Sequence, residues 1–234
     1  MNSFTGFSPR TFSFLKQLKD NNTRDWFEIH RDQFVNDLQQ PFQELVTALT
    51  PIMVEIDPLL EIKPPKKMIS RIYRDLRFSK DKSPYRANMW LSFHRTTKDW
   101  KEDPTFFFEL MPDHYCYGMG FSRPRKTFLN AMRTQIEAKP EEFIEINKTL
   151  SPHSPFQLMG TNYVRQLKIP IDINPELLNW YQKKSELYVI ATYPISEELY
   201  SKQILLKLEQ QFKSLLPLYE FFWKLKQISD QSNE

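Results

Sequence analysis

Cysteine occurs once in this 234-residue chain and glycine four times. No stretch approaches the roughly 18 uninterrupted apolar residues that a membrane-spanning helix needs. A lone Cys116 excludes an intramolecular disulfide and fits a reducing compartment, where it reads as a small buried hydrophobe. With one thiol, and with His30, His94, His114 and His153 at no ligand spacing, no metal centre is expected. The scarcity of glycine leaves no Gly/Ser linker, and there is no internal repeat or low-complexity tract, so residues 1–234 are predicted to form a single domain. Gly118 and Gly120 complete neither phosphate-cradling pattern, and Ser122 lacks the context of a nucleophile elbow. Residues 1–7 have neither the basic nor the apolar region of a signal peptide, which predicts a cytoplasmic protein without a membrane partner.

What the chain has in quantity is aromatic mass: 19 Phe, 10 Tyr and 5 Trp, within a hydrophobic share of 40%. A chain of this length buries roughly 70 to 75% of its unfolded surface, so one large aromatic core is expected. The net charge is only +3, but its distribution is uneven. Residues 63–86 carry nine cations (Lys63, Lys66, Lys67, Arg71, Arg74, Arg77, Lys80, Lys82, Arg86) against Asp75 and Asp81. That is +7 locally and −4 for all other residues, so the whole positive excess lies in one stretch.

Periodicity predicts an α+β fold, with a central, mainly antiparallel sheet flanked by N-terminal and C-terminal helices. Ser8 and Pro9 open a first helix carrying Phe12, Leu15 and Leu18, and Thr23 caps a second along which Trp26, Phe27, Phe34 and Leu38 share one side. Pro41 either kinks that helix or starts its continuation. From Lys67 the period becomes two, predicting a strand with Ile69, Arg71 and Tyr73 on one face, and a second strand follows over residues 87–94. Phe106, Phe108 and Leu110 lead to Pro112 and Asp113, and Tyr115, Tyr117, Met119 and Phe121 return, predicting a hairpin in a meander. The small Gly118 and Gly120 predict a close approach by another group. Pro124, Pro140 and Pro175 open helices, residues 186–193 read as a late buried strand, and residues 197–228 as helix interrupted near Pro217.

The chemistry concentrates in residues 71–86, RIYRDLRFSKDKSPYR. Two like charges 4 Å apart repel by about 4 kcal/mol at an effective dielectric near 20, so six cations in this stretch require anionic neighbours. Arginine's planar fork suits bidentate contact with phosphate or carboxylate. Arg71, Arg74 and Arg77 are therefore candidate clamps, Lys80, Lys82 and Arg86 supporting charges, and Ser79 and Tyr85 neutral donors to the same anion. Asp75 and Asp81 are the candidate general bases if chemistry occurs. The alternative is a structural brace, in which these arginines pair with Asp75, Asp81, Asp25 and Glu28. Asp25 and Glu28 are themselves spaced to share one side of a helix, as solvated helix pairs commonly do.

Four motifs stand out together: Phe4-x-Gly6-Phe7; Asn21-Asn22 ahead of Trp26-Phe27; the string from Arg74 to Tyr85; and Gly118-x-Gly120 ahead of Pro124. In these the chain resembles the domain of unknown function 2461 family, over nearly its whole length. The resemblance implies a single domain and brings no assigned activity. Members typically carry Lys or Arg after the Pro-Tyr pair, as Arg86 does here, and Arg123 after the Gly-x-Gly strand is a further candidate. The functional expectation is a domain that holds a phosphate-bearing or other anionic small molecule through residues 71–86. The alternatives are a nucleic-acid-binding module using the same patch with Tyr73, Phe78 and Tyr85, and a non-catalytic interaction domain. Cofactor and oligomeric state are open.

Overall fold

The computed structural model describes residues 4–77, 80–150, 153–163 and 167–231. They divide into two compact units: Met1–Phe93, Phe107–Tyr117 and Thr192–Gln210 form the first, and His94–Phe106, Gly118–Ala191 and Gln211–Glu234 the second. The fold is α+β, with a five-stranded antiparallel open sheet in the order β1-β2-β3-β5-β4. The strands are β1 Met89–Phe93, β2 Thr105–Leu110, β3 His114–Phe121, β4 Gln157–Met159 and β5 Leu187–Pro194.

In the first unit, α1 Pro9–Asp20 starts where the Ser8 N–H donates to Thr11 Oγ1 (3.2 Å), with Pro9 at a position that needs no N–H. Thr23 caps α2 Arg24–Ile29 by accepting from the Trp26 N–H. A short turn α3 Arg31–Gln33 leads into a π-helical turn, Phe34–Gln39, and then α4 Gln40–Ile56. Pro41 thus starts a continuation, as one of its two expected roles. Having no N–H, it leaves the Asp37 carbonyl without its helical donor, and the buried Thr11 hydroxyl supplies one at 2.6 Å. Gly6, at φ +118, lets residues 4–7 lie against Ser201, where a Cβ would collide with the backbone, and the Phe7 N–H donates to Leu199 O at 2.7 Å. Phe7 then stacks on Phe108 at 5.8 Å and meets Phe42 at 5.3 Å.

The strand expected from Lys67 is not a regular one. Pro64 precedes and Pro65 opens a single helical turn, α5 Pro65–Met68, and among the described residues pairing beyond it occurs at the isolated bridges Ile69↔Leu91 and Tyr73↔Tyr85. Pro84 has no N–H to extend a ladder. The hairpin is as expected: the Met111 N–H donates to His114 O at 2.9 Å across a loop of Pro112 and Asp113. Phe106, Phe108, Leu110, Tyr115, Tyr117 and Met119 are all fully buried.

In the second unit, α6 Lys126–Ala138, α7 Pro140–Asn147, a short turn α8 Leu178–Tyr181 and α10 Leu216–Gln231 supply the aromatic packing. Phe121 meets Phe128 at 4.4 Å and Phe222 at 5.2 Å, and Phe143 meets Phe221 edge-on at 4.7 Å. Gly118 and Gly120 make room for β5, since a Cβ on either would strike the carbonyl of Val189 or Leu187. Helix α9 Gln203–Ser214 ends just before Leu215, so the interruption expected near Pro217 falls at the start of α10.

Because the Phe108 ring is wholly buried against Phe7, Phe42 and Tyr115, Phe108→Ala should lower unfolding free energy by about 3 to 5 kcal/mol. A loss under about 1 kcal/mol in denaturant melts would contradict the hairpin register.

Candidate functional site

Residues 69–91 form a broad hairpin within the first unit. The Ser70 N–H donates to Trp90 O (2.7 Å), the Arg86 N–H to Ile72 O (2.8 Å) and the Arg74 N–H to Pro84 O (2.9 Å). In an antiparallel pair the bonded groups alternate, so opposite Tyr73 the N–H and C=O of Tyr85 point away from the partner strand. Asn22 receives both: the Tyr85 N–H donates to its Oδ1 and its Nδ2 donates to Tyr85 O, each at 3.0 Å. A side-chain amide here replaces a neighbouring strand. The Tyr85 ring is buried and stacks on Phe27 at 4.1 Å, with burial raising its phenol pKa. Its side chain therefore faces the core.

This arrangement turns Arg74 into the wall of a cleft. One terminal nitrogen of its guanidinium donates to Tyr85 O (3.2 Å) and pairs with Asp81 (3.0 Å), while its Nε is buried without a hydrogen-bond partner among the described residues. The cleft encloses about 580 Å3, and Arg74 shares its lining with Lys19, Asn22, Ser83, Asn88 and His114. Asp81 and Asp113 also line it, so the two fixed cations are balanced by two carboxylates. His114 Nδ1 lies 2.6 Å from Asp113 Oδ1.

The other expected ligands are dispersed around the same hairpin. Arg77 is exposed and makes a forked contact with Asp75, at 3.0 and 2.8 Å. Lys82 donates to Leu76 O at 2.9 Å. Arg71 and Lys80 are exposed, and neither has an ion pair or hydrogen bond among the described residues. Arg86 is half-buried with its guanidinium 4.9 Å from the Trp90 ring centre. Ser79 and Phe78 lie outside the described residues. Glu28 pairs with Arg31 rather than with the basic segment, and Arg123 belongs to the second unit, where it pairs with Asp99.

Asp75 and Asp81, the candidate general bases, are both exposed. The Arg77 guanidinium holds Asp75 well below the usual carboxylate range, and bonds from Ser83 lower Asp81. Both stay ionised near neutral pH and are weak proton acceptors there. A better-placed carboxyl is Glu109 in β2. Burial raises its pKa, partly opposed by donation from Asn88 Nδ2 and from Cys116 Sγ (3.8 Å) and by the charges of His114 and Arg86. Burial likewise pushes the Cys116 thiol up to about 12. Lys19, Asn88, Glu109 and His114 escape a reading of local charge, because pairing of β1, β2 and β3 gathers the last three and the fold brings Lys19 of α1 to them. An acid set among Phe106, Phe107, Phe108 and Leu110 was the available signal.

Two measurements follow. Asn22→Ala strands the Tyr85 N–H, because Arg74 serves only the carbonyl, so it should cost about 1 to 3 kcal/mol in denaturant melts. Glu109→Gln should flatten part of the pH dependence of stability. A carboxyl whose pKa is raised on folding contributes stability that is fully present below its unfolded pKa and lost as pH rises through its folded value. The variant should therefore gain on the wild type as pH rises above about 4.5, as followed by melts across that range.

Among the described residues no helix is long and apolar enough to cross a membrane, and no three His, Cys, Asp or Glu side chains gather as metal ligands. No curated protein matches the chain. Residues 10–221, which include the hairpin and every residue lining the cleft, match the family described as "Conserved hypothetical protein (DUF2461)", and the chain belongs to that family.

Proposed function

We propose that this protein binds an oxyanion, as the free ion or as the phosphate or carboxylate of a small molecule, in the cleft beside Arg74. The observation that carries the reading is the Arg74 guanidinium, half-buried at the cleft wall with its Nε lacking an acceptor among the described residues. A buried N–H without a partner costs about 1 to 3 kcal/mol, which a ligand oxygen would recover on reaching it once the guanidinium has left Asp81. Lys19 and His114 add cationic or donor groups, Asn22, Ser83 and Asn88 add neutral ones, and the exposed Arg71 and Lys80 contribute positive charge to the same hairpin. Asp81 competes for Arg74, so binding entails exchanging that contact for the ligand.

Arg77 has a different part. Its fork is occupied by Asp75 two residues away, a pair that closes the loop locally, so of the two arginines Arg74 is the clamp. Nucleic acid is less favoured because the remainder of the chain carries −4, which repels a polyanion extending beyond the hairpin.

The test is charge-preserving. Arg74→Lys keeps the cation and loses the fork, so calorimetric affinity for inorganic phosphate should fall about tenfold, with the unfolding free energy of the unliganded protein little changed. Strong destabilisation of the variant, with no phosphate binding by the wild type, would make Arg74 a brace and overturn the assignment.

A further inference from the structure

The polar face of the sheet beside this cleft holds a group that anion binding alone does not use. Glu109 projects from β2 between two residues that line the cleft, Asn88 just before β1 and His114 at the start of β3. Asn88 is shared: it forms part of the lining, and its Nδ2 donates to Glu109 Oε1. The second carboxyl oxygen, Oε2, faces the buried Cys116 thiol at 3.8 Å. Among the described residues Glu109 has no ion pair, although Arg86 and His114 act on it at longer range. A desolvated carboxyl one amide away from the cleft changes its protonation readily when charge nearby changes.

We propose that the cleft takes up its oxyanion together with one proton, and that the Glu109 carboxyl holds that proton. This rests on the anion reading above and deepens it, because it couples occupancy of the cleft to the charge of the sheet face beside it. The reasoning is electrostatic. An anion arriving in the cleft, with Asn88 between it and Glu109, repels the ionised carboxylate and so favours the neutral form of Glu109. The proton comes from solvent and no covalent bond changes other than the carboxyl O–H. The groups facing Glu109 set the sign. Asn88 and Cys116 donate to it, Arg86 and His114 favour its ionised form, and Lys19 and Arg74 in the cleft are offset by Asp81 and Asp113.

Sulfate is the probe, since it stays fully ionised between about pH 5 and pH 8 and carries no proton of its own. Calorimetry of sulfate binding in buffers of different ionisation enthalpy reads the protons taken up per ion bound. The wild type should take up a fraction of a proton, and its affinity should fall about tenfold from the acid to the alkaline end of that range. Glu109→Gln, a permanent mimic of the neutral carboxyl, should bind sulfate with a flat pH profile and without that uptake. Imidazole is the other group type that titrates near neutrality, so His114→Asn is the control and should retain the Glu109 component. Sulfate bound by the wild type without proton uptake would overturn this proposal while leaving the anion site standing. Uptake lost in His114→Asn and kept in Glu109→Gln would move the proton to His114 and refute the assignment. Absence of sulfate and phosphate binding altogether would remove both readings.

Discussion

The N–H and C=O of Tyr85 lie in a hairpin whose other strand cannot reach them, and a buried backbone group must find a partner or lose more than a kilocalorie per mole. Asn22 meets both demands with one amide, while the Tyr85 ring anchors on Phe27. The geometry around the cleft follows from that contact. It sets residues 84–86 opposite residues 72–74, which aims Arg74 at Asp81 and at the cleft. The Asn-Asn and Pro-Tyr motifs are 63 positions apart along the chain, yet they are two halves of a single hydrogen-bonding unit.

Charge in the hairpin is distributed by distance along the chain. Asp75 is two residues from Arg77 and is taken up by it, a contact that needs no tertiary structure. Asp81 is seven residues from Arg74, and the two meet at 3.0 Å where Arg74 pairs across the hairpin with Pro84. Of the other cations, Lys82 donates to Leu76 O, Arg86 rests on Trp90, and Arg71 and Lys80 are exposed. Six cations against two carboxylates therefore leave a local surplus of positive charge.

Beside that surplus lies a sheet face whose chemistry is of the opposite kind. Strand alternation sends Phe108, Leu110, Tyr115 and Tyr117 into the core of the first unit and turns Glu109, Cys116 and His114 the other way. Half-burial on that face raises the pKa of a carboxyl and a thiol at once, for the same reason of lost hydration. Family membership brings no activity with it, so any chemistry assigned to this face has to come from the arrangement itself.

The sequence alone determined the elements with strong periodicity or clear punctuation: the first helices, the hairpin across Pro112 and Asp113, the late strand and the α+β class. These depend on contacts between near neighbours, for which composition and spacing are sufficient. It also located the basic hairpin, because a run of like charges is visible without a fold. The tertiary structure decided which residues share the cleft, since Lys19, Asn22, Arg74, Asn88 and His114 come from separate segments, and it set Glu109 behind Asn88 at that cleft. It also decided that Tyr85 is core and that residues 67–74 pair only at isolated bridges, because burial of a ring and the missing N–H of Pro84 act on partners that the local sequence does not name.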